Sequence, residues 1–238
     1  MHIQIVLFDG FDLLDAMAPY EVFTAAAMYS DEEVTVKLVS AEGQRTVKSG
    51  VNDLQIQASG KLDLGRKGII LIPGAFGSVH GNGPDSISVK LQQATETELN
   101  NLLNAAVKNP DILLASVCGG SLVLAMSGLL ENRHAVTHHM GMGLLSATNA
   151  IPVQARVVDD GNIVTGGGVT SGLDVALYLV ERQLGPRIAL AVEQLFEYER
   201  RGTVWKAEGN VPKESHQEDP VEPTNVESFI KPDLGADF

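Results

Sequence analysis

The chain has 238 residues, of which 44% are hydrophobic and 5% aromatic, with a formal net charge of -13. This is the texture of an ordinary soluble globular protein large enough to bury a core without staples, and its charge would repel a phosphate backbone, so nucleic-acid binding is not expected. Its single cysteine cannot form an internal disulfide and fits a reducing compartment.

Ile3 to Phe8 is short, β-branched and closed by Asp9-Gly10, the pattern of a first buried strand. Without a basic flank it is too short for a signal peptide, and no stretch approaches transmembrane length, so no membrane partner and a cytoplasmic location are expected. Apolar positions from Leu13 to Met28 predict a helix that carries Asp15 and Pro19 at its start, with Pro19 in the first turn. Val34 to Val39 alternates as a second strand. Thr46 to Leu64 is polar and Gly-punctuated, the signature of a peripheral hairpin. Gly68 to Ile72 is apolar on both faces, as a parallel strand covered by helices on both sides must be. A loop from Gly74 to Asp85 follows, rich in glycines that let backbone approach a ligand. Asp85 or Ser86 can cap the next helix, whose apolar positions run from Ile87 to Val107 before Asn109-Pro110 ends it.

Ile112 to Val117 then runs apolar into Cys118-Gly119-Gly120 and on into Ser121-Leu122-Val123-Leu124, a strand turning sharply into a helix that ends near Gly128. Small residues around Cys118 suit a nucleophile elbow, and a thiol at a helix start ionises more easily than a free one. The plain alternative is that a lone Cys in an apolar strand is a small buried hydrophobe. Beyond it, His134 to Thr137 reads as a short strand leading to His138-His139, and Gly141 to Ala147 as a short helix. Val153 to Val158 and Ile163 to Thr165 flank Asp159-Asp160-Gly161-Asn162, a hairpin turn. Gly166-Gly167-Gly168 opens a helix capped by Thr170 or Ser171, without the spacing of a dinucleotide site. A last helix runs from Pro186 to about Arg200, with Leu190, Val192, Leu195 and Phe196 facing inward. The domain plan is a single α/β domain over 1–202 and an acidic, Pro-containing tail over 203–238, loosely ordered or wrapped on the surface.

Strands alternating with helices favour a doubly wound, mostly parallel sheet with helices on both faces. Ligands on such sheets bind at the carboxyl ends of the strands, where Asp9 to Asp15, the Gly74 loop and Cys118 all emerge. A cysteine nucleophile needs a base and hydrogen-bond donors, for which Asp15 and the amides of Gly74 or Ala75 and of Gly119 are candidates. Taken alone, Asp15 reads as a helix N-cap. Taken alone, His138 and His139 read as ordinary surface or hydrogen-bonding imidazoles, and they lack a third ligand at metal spacing, so no metal is expected.

Cys118 on its elbow, Asp15, Ile72-Pro73-Gly74 and Val136-Thr137-His138 together resemble the DJ-1/PfpI superfamily, over residues 3 to about 200. Phe8-Asp9-Gly10, Leu14-Asp15, Ala18-Pro19-Tyr20-Glu21-Val22, Ser116-Val117-Cys118, Gly128-Leu129-Leu130 and Val164-Thr165-Gly166-Gly167-Gly168 look most like its isonitrile (isocyanide) hydratase branch. The resemblance implies a flavodoxin-like fold of the class I glutamine amidotransferase type, usually a homodimer. It implies a nucleophilic Cys118 with Asp15 as general acid/base, a small-molecule substrate, and hydration of an isocyanide to an N-formamide through a thioimidate, with no cofactor. The chain departs from that branch in having Gly119 where Thr is common, Ala75 for a second glycine, and His139-Met140 in place of an aromatic residue. Thr137, His138 and His139 are the pocket-wall candidates. Two other functions fit the same resemblance: a glyoxalase-like activity on α-oxoaldehydes, and non-catalytic redox or ligand sensing through an oxidisable Cys118.

Overall fold

The structure, a computed structural model, describes residues 1–212. In chain order it comprises β1 (His2–Val6), α1 (Leu13–Tyr29), β2 (Thr35–Val39), the hairpin β3 (Arg45–Lys48) and β4 (Gln55–Ala58), and β5 (Gly68–Ile72). Then come α2 (Ile87–Thr95), α3 (Glu98–Ala106), β6 (Ile112–Ser116), α4 (Gly120–Met126), β7 (His134–Ala135), α5 (Met142–Ala147) and β8 (Ile151–Pro152). The chain continues through β9 (Val157–Asp159), β10 (Ile163–Gly166), α6 (Ser171–Leu184), α7 (Pro186–Phe196) and β11 (Trp205–Lys206).

The main sheet has the order β11-β9-β10-β6-β5-β1-β2. Its five strands from β2 to β10 are parallel, with Ile5 opposite both Leu38 and Leu71, and Ile70 opposite Leu114. β9 joins antiparallel through the expected hairpin. The order β2-β1-β5-β6-β10 is that of flavodoxin-like proteins, and it reverses between β1 and β5, opening a crevice at the carboxyl ends of these strands. α1, α6 and α7 pack together on one side of the sheet and α2, α3 and α4 on the other. Ile3, Ile5, Ile70, Leu71, Leu114 and Val164 are completely or almost completely buried between those layers. No helix among the described residues is long and apolar enough to cross a membrane.

Several sequence expectations are corrected. Asp12, not Asp15, caps α1, its Oδ1 accepting from the Leu14 amide at 2.9 Å and the Asp15 amide at 3.3 Å. Pro19 consequently lies inside α1 rather than in its first turn. The helix predicted to run unbroken from Ile87 is two helices, because Thr97 turns the chain and caps α3 by accepting from the Leu99 amide at 3.1 Å. On α7, Val192 is buried as expected, but Leu190 and Leu195 are 55% and 52% exposed. That helix stops at Phe196, where Glu197 takes a left-handed conformation.

Met1–Lys206 forms one compact unit and the chain from Ala207 a second, whose described residues, 207–212, carry no helix or strand. Residues 203–206, grouped with the tail by sequence, include β11, which pairs with β9. The tail expected from there lies from residue 213 onward outside the described residues.

Candidate active site

Cys118 follows β6 and precedes α4 by one residue. Its φ of 55° is left-handed, a conformation costly for a residue with a Cβ and held only where the surroundings over-determine it. They do so here from three directions. The Cys118 amide donates to the carbonyls of Gly166 and Gly167 at 3.1 and 2.9 Å, and its carbonyl accepts from the Thr137 hydroxyl at 2.7 Å. Gly120 lets α4 begin directly against β5, since a Cβ there would lie 2.0 Å from the Ile72 carbonyl oxygen. The elbow is therefore built by β5, β6, β10 and the strand-end segment at Thr137 together.

Asp15, on the first turn of α1, is completely buried. Its Oδ2 accepts from the Gly74 amide at 3.0 Å, while its Oδ1 has no hydrogen-bond partner among the described residues. Burial first, then the nearby Asp12 charge, hold its pKa well above the ordinary carboxylate range, against the pull of the Gly74 amide. Cys118 couples to this carboxyl without making a hydrogen bond of ordinary geometry to it. Burial and the Asp15 charge push the thiol pKa up, and the Gly119 amide only partly offsets them. This corrects the expectation of an easily ionised thiol. α4 is a seven-residue helix with little dipole to offer, and the sulfur is desolvated beside an acid. The two groups are electrostatically linked, so a proton on Asp15 would remove the charge that opposes a thiolate.

Cys118 and Gly119 sit at the wall of a cavity of about 530 Å³. Leu91, Leu122, Ile87 and Val169 line it, and Phe76, Val79, Met126, Met140 and Leu144 form an exposed apolar rim. Polar side chains come from Asp12, Ser88, Gln92 and His138. Gly119 and Ala75 both border the cavity, and among the described residues neither amide donates to a backbone acceptor; the Gly119 N–H instead supports negative charge on the Cys118 sulfur. Gly74 does not border it: its amide is committed to Asp15, and a Cβ on it would lie 2.6 Å from the Gly119 nitrogen.

The remaining candidates separate. His138 lines the cavity, and its Nδ1 accepts from the Met140 amide at 3.3 Å. Burial and then the neighbouring His139 lower its pKa, so it is neutral near pH 7. His139 lies tilted against His138 at 4.4 Å between ring centroids, and with Thr137 it lines a second cavity of about 350 Å³ beside the start of α6, which shares His138 and Val169 with the first. Thr137 thus holds the elbow from behind instead of facing the Cys118 cavity. Sequence reasoning overlooked Asp12, whose signal was available as an Asp three residues ahead of another acid at a helix start. It also overlooked the apolar rim, whose residues come from loops and helix faces with no shared period.

Comparison with known proteins identifies the family and the fold. The DJ-1/PfpI family model matches residues 1–182. An isonitrile hydratase of Pseudomonas putida is 48% identical over 85 residues, which is 36% of this chain and 37% of that enzyme. The HTH-type transcriptional regulator CdhR of Pseudomonas aeruginosa is 25% identical over 80% of this chain and 53% of its own. The matches thus span about half or less of these curated relatives. Among solved structures, Drosophila melanogaster DJ-1beta superposes with a TM-score of 0.69 at 19% identity, covering 83% of this chain and 98% of that one.

Proposed function

Since the chain belongs to the DJ-1/PfpI family, we propose that it is a cysteine-dependent hydratase that converts an apolar isocyanide to the corresponding N-formamide. The observation that carries this reading is the pairing of a strained Cys118 at the wall of an apolar cavity with a buried Asp15 whose pKa is raised. The partial likeness to an isonitrile hydratase supports it. An isocyanide is uncharged, small at its reactive end and carried on an apolar group, which matches a cavity wall of leucine, isoleucine, valine and methionine.

In this mechanism the Cys118 proton passes to Asp15 as the sulfur forms a bond to the terminal isocyanide carbon. The carbon takes up a proton from water of the cavity, giving the thioimidate R–N=CH–S–Cys118, and Asp15 gives back the proton it received. A carboxyl with a raised pKa suits both halves, because it takes up a proton more readily than an ordinary carboxylate and still releases it. The Gly119 and Ala75 amides support the negative charge that develops as the sulfur adds. Water then adds to the thioimidate carbon, the C–S bond breaks, and the formamide R–NH–CHO leaves.

Cyclohexyl isocyanide incubated with the protein should give N-cyclohexylformamide, followed by NMR, at a rate abolished in Cys118→Ala. A wild-type rate no greater than that of the Ala variant overturns the assignment. His138 on the cavity wall favours one second reading, a glyoxalase-like reaction of α-oxoaldehydes. Consumption of methylglyoxal that depends on both Cys118 and His138 would select it. The homodimer implied by the resemblance belongs to the same reading and is tested by light scattering, which should return twice the chain mass.

A further inference from the structure

The isocyanide reading leaves open which group activates the water that resolves the thioimidate. Asp15 is poorly placed for it, since it is completely buried and does not border the cavity. Among the described lining residues, the side chains able to take a proton from water are Asp12 and His138, once Cys118 carries the substrate. His138 is committed the other way. Its Nδ1 lone pair accepts the Met140 amide, so in the neutral ring Nε2 carries the hydrogen and is a donor. Its ring also lies against the Gly168 backbone, where a Cβ would come within 2.1 Å of its Cδ2.

Asp12 is committed at one oxygen only. Oδ1 caps α1 through the Leu14 and Asp15 amides, and Oδ2 makes no hydrogen bond among the described residues. The cap fixes the carboxylate rigidly while leaving one oxygen for a ligand of the cavity. Its charge is the second cause of the raised Asp15 pKa and a lesser influence on Cys118 and His138.

Resting on the reading above, we infer that Asp12 is the general base for the second half of the reaction, drawing the proton from the water that attacks the Cys118 thioimidate, while Asp15 serves the sulfur. The water oxygen bonds to the thioimidate carbon as its proton passes to Asp12, and the imine nitrogen takes a proton from solvent. The resulting R–NH–CH(OH)–S–Cys118 collapses by breaking the C–S bond. Its hydroxyl proton leaves to solvent, the thiolate recovers a proton through Asp15, and Asp12 releases its own. The sum is R–NC plus water to R–NH–CHO, with no other reactant. Two carboxylates at one helix start thus divide the work, one buried to hold a proton and one at the cavity to remove one.

The test is Asp12→Asn, since Asn caps a helix as well as Asp but cannot act as a base. Wild type and variant are mixed with cyclohexyl isocyanide, quenched, and read by intact mass for the adduct and by NMR for formamide. Formamide release from the variant is expected to fall by about 100-fold or more, the scale of a lost general base. A mass increase of one isocyanide per chain should accumulate on Cys118, whereas the wild type shows little. If the Asn variant is unfolded, Asp12→Ser, which also caps, should show the same accumulation. Wild-type turnover together with unchanged release from the variant overturns the role of Asp12 alone. So does a folded variant that forms no adduct, since that places Asp12 in the addition step. A wild type that forms neither adduct nor formamide overturns the isocyanide reading, and the inference falls with it.

Discussion

Asp15 and Cys118 illustrate how little a residue's type says about its charge. Both pKa values are raised, and in both the first cause is burial. Replacing Asp15 with Asn should lower isocyanide turnover by about 10²- to 10⁴-fold, the usual contribution of a general acid/base, measured as kcat at saturating substrate. The same substitution should affect stability with a definite sign. An acid whose folded pKa lies above its unfolded value of about 3.9 stabilises the fold below that pH and loses its contribution as pH rises through the folded pKa. The Tm difference, Asp15→Asn minus wild type, should therefore grow more positive between about pH 4 and neutrality, and a pH-independent difference would show that burial does not perturb the acid. Cys118 gives a second prediction. At φ 55° glycine is relieved of a strain of about 1 kcal/mol that any Cβ suffers, so Cys118→Gly should be more stable than Cys118→Ala by roughly that amount in urea titrations. The sequence disclosed the identities of Cys118 and Asp15 but not their states, because desolvation depends on what the other strands and helices place around them.

The short segment from β6 to α4 does more than carry the cysteine. Gly120 sits where α4 crosses the end of β5, and its missing Cβ is what permits that crossing. Gly120→Ala should cost about 1–3 kcal/mol, as overpacking in a tight interior does, and should lower the Cys118 alkylation rate by shifting the elbow. An unaltered melting temperature and alkylation rate would show that the β5 backbone yields freely. The elements themselves were largely legible where apolar period and turn residues agreed, as in β1, β5, β6 and the β9–β10 hairpin. They were less so where a polar residue decided a boundary. Thr97 divides the helical stretch after Ile87, and Asp12 rather than Asp15 opens α1, choices between similar capping residues that periodicity cannot make. Leu190 and Leu195 look like core by type, and only the packing of α7 through Ala189 and Val192 shows otherwise.

At the scale of the whole molecule, the strand order does the assembling. Reversal between β1 and β5 brings the Asp12 to Asp15 turn, the Ala75 loop and Cys118 to one crevice, which the sequence anticipated from three loops following apolar strands. The apolar rim completes it but was hidden, since Phe76, Met126 and the pair Met140 and Leu144 belong to three separate segments. The central claim is that Cys118 and Asp15 are electrostatically linked, and the most direct measurement is the pH dependence of Cys118 alkylation by iodoacetamide in wild type and Asp15→Asn. The account predicts that the wild-type thiol reacts slowly at neutral pH and ionises only above the ordinary thiol range of about 8.5. Removing the Asp15 charge should shift that profile to lower pH and speed alkylation near neutrality, even as hydration is lost. Two superimposable profiles centred on the value of a free thiol would contradict it.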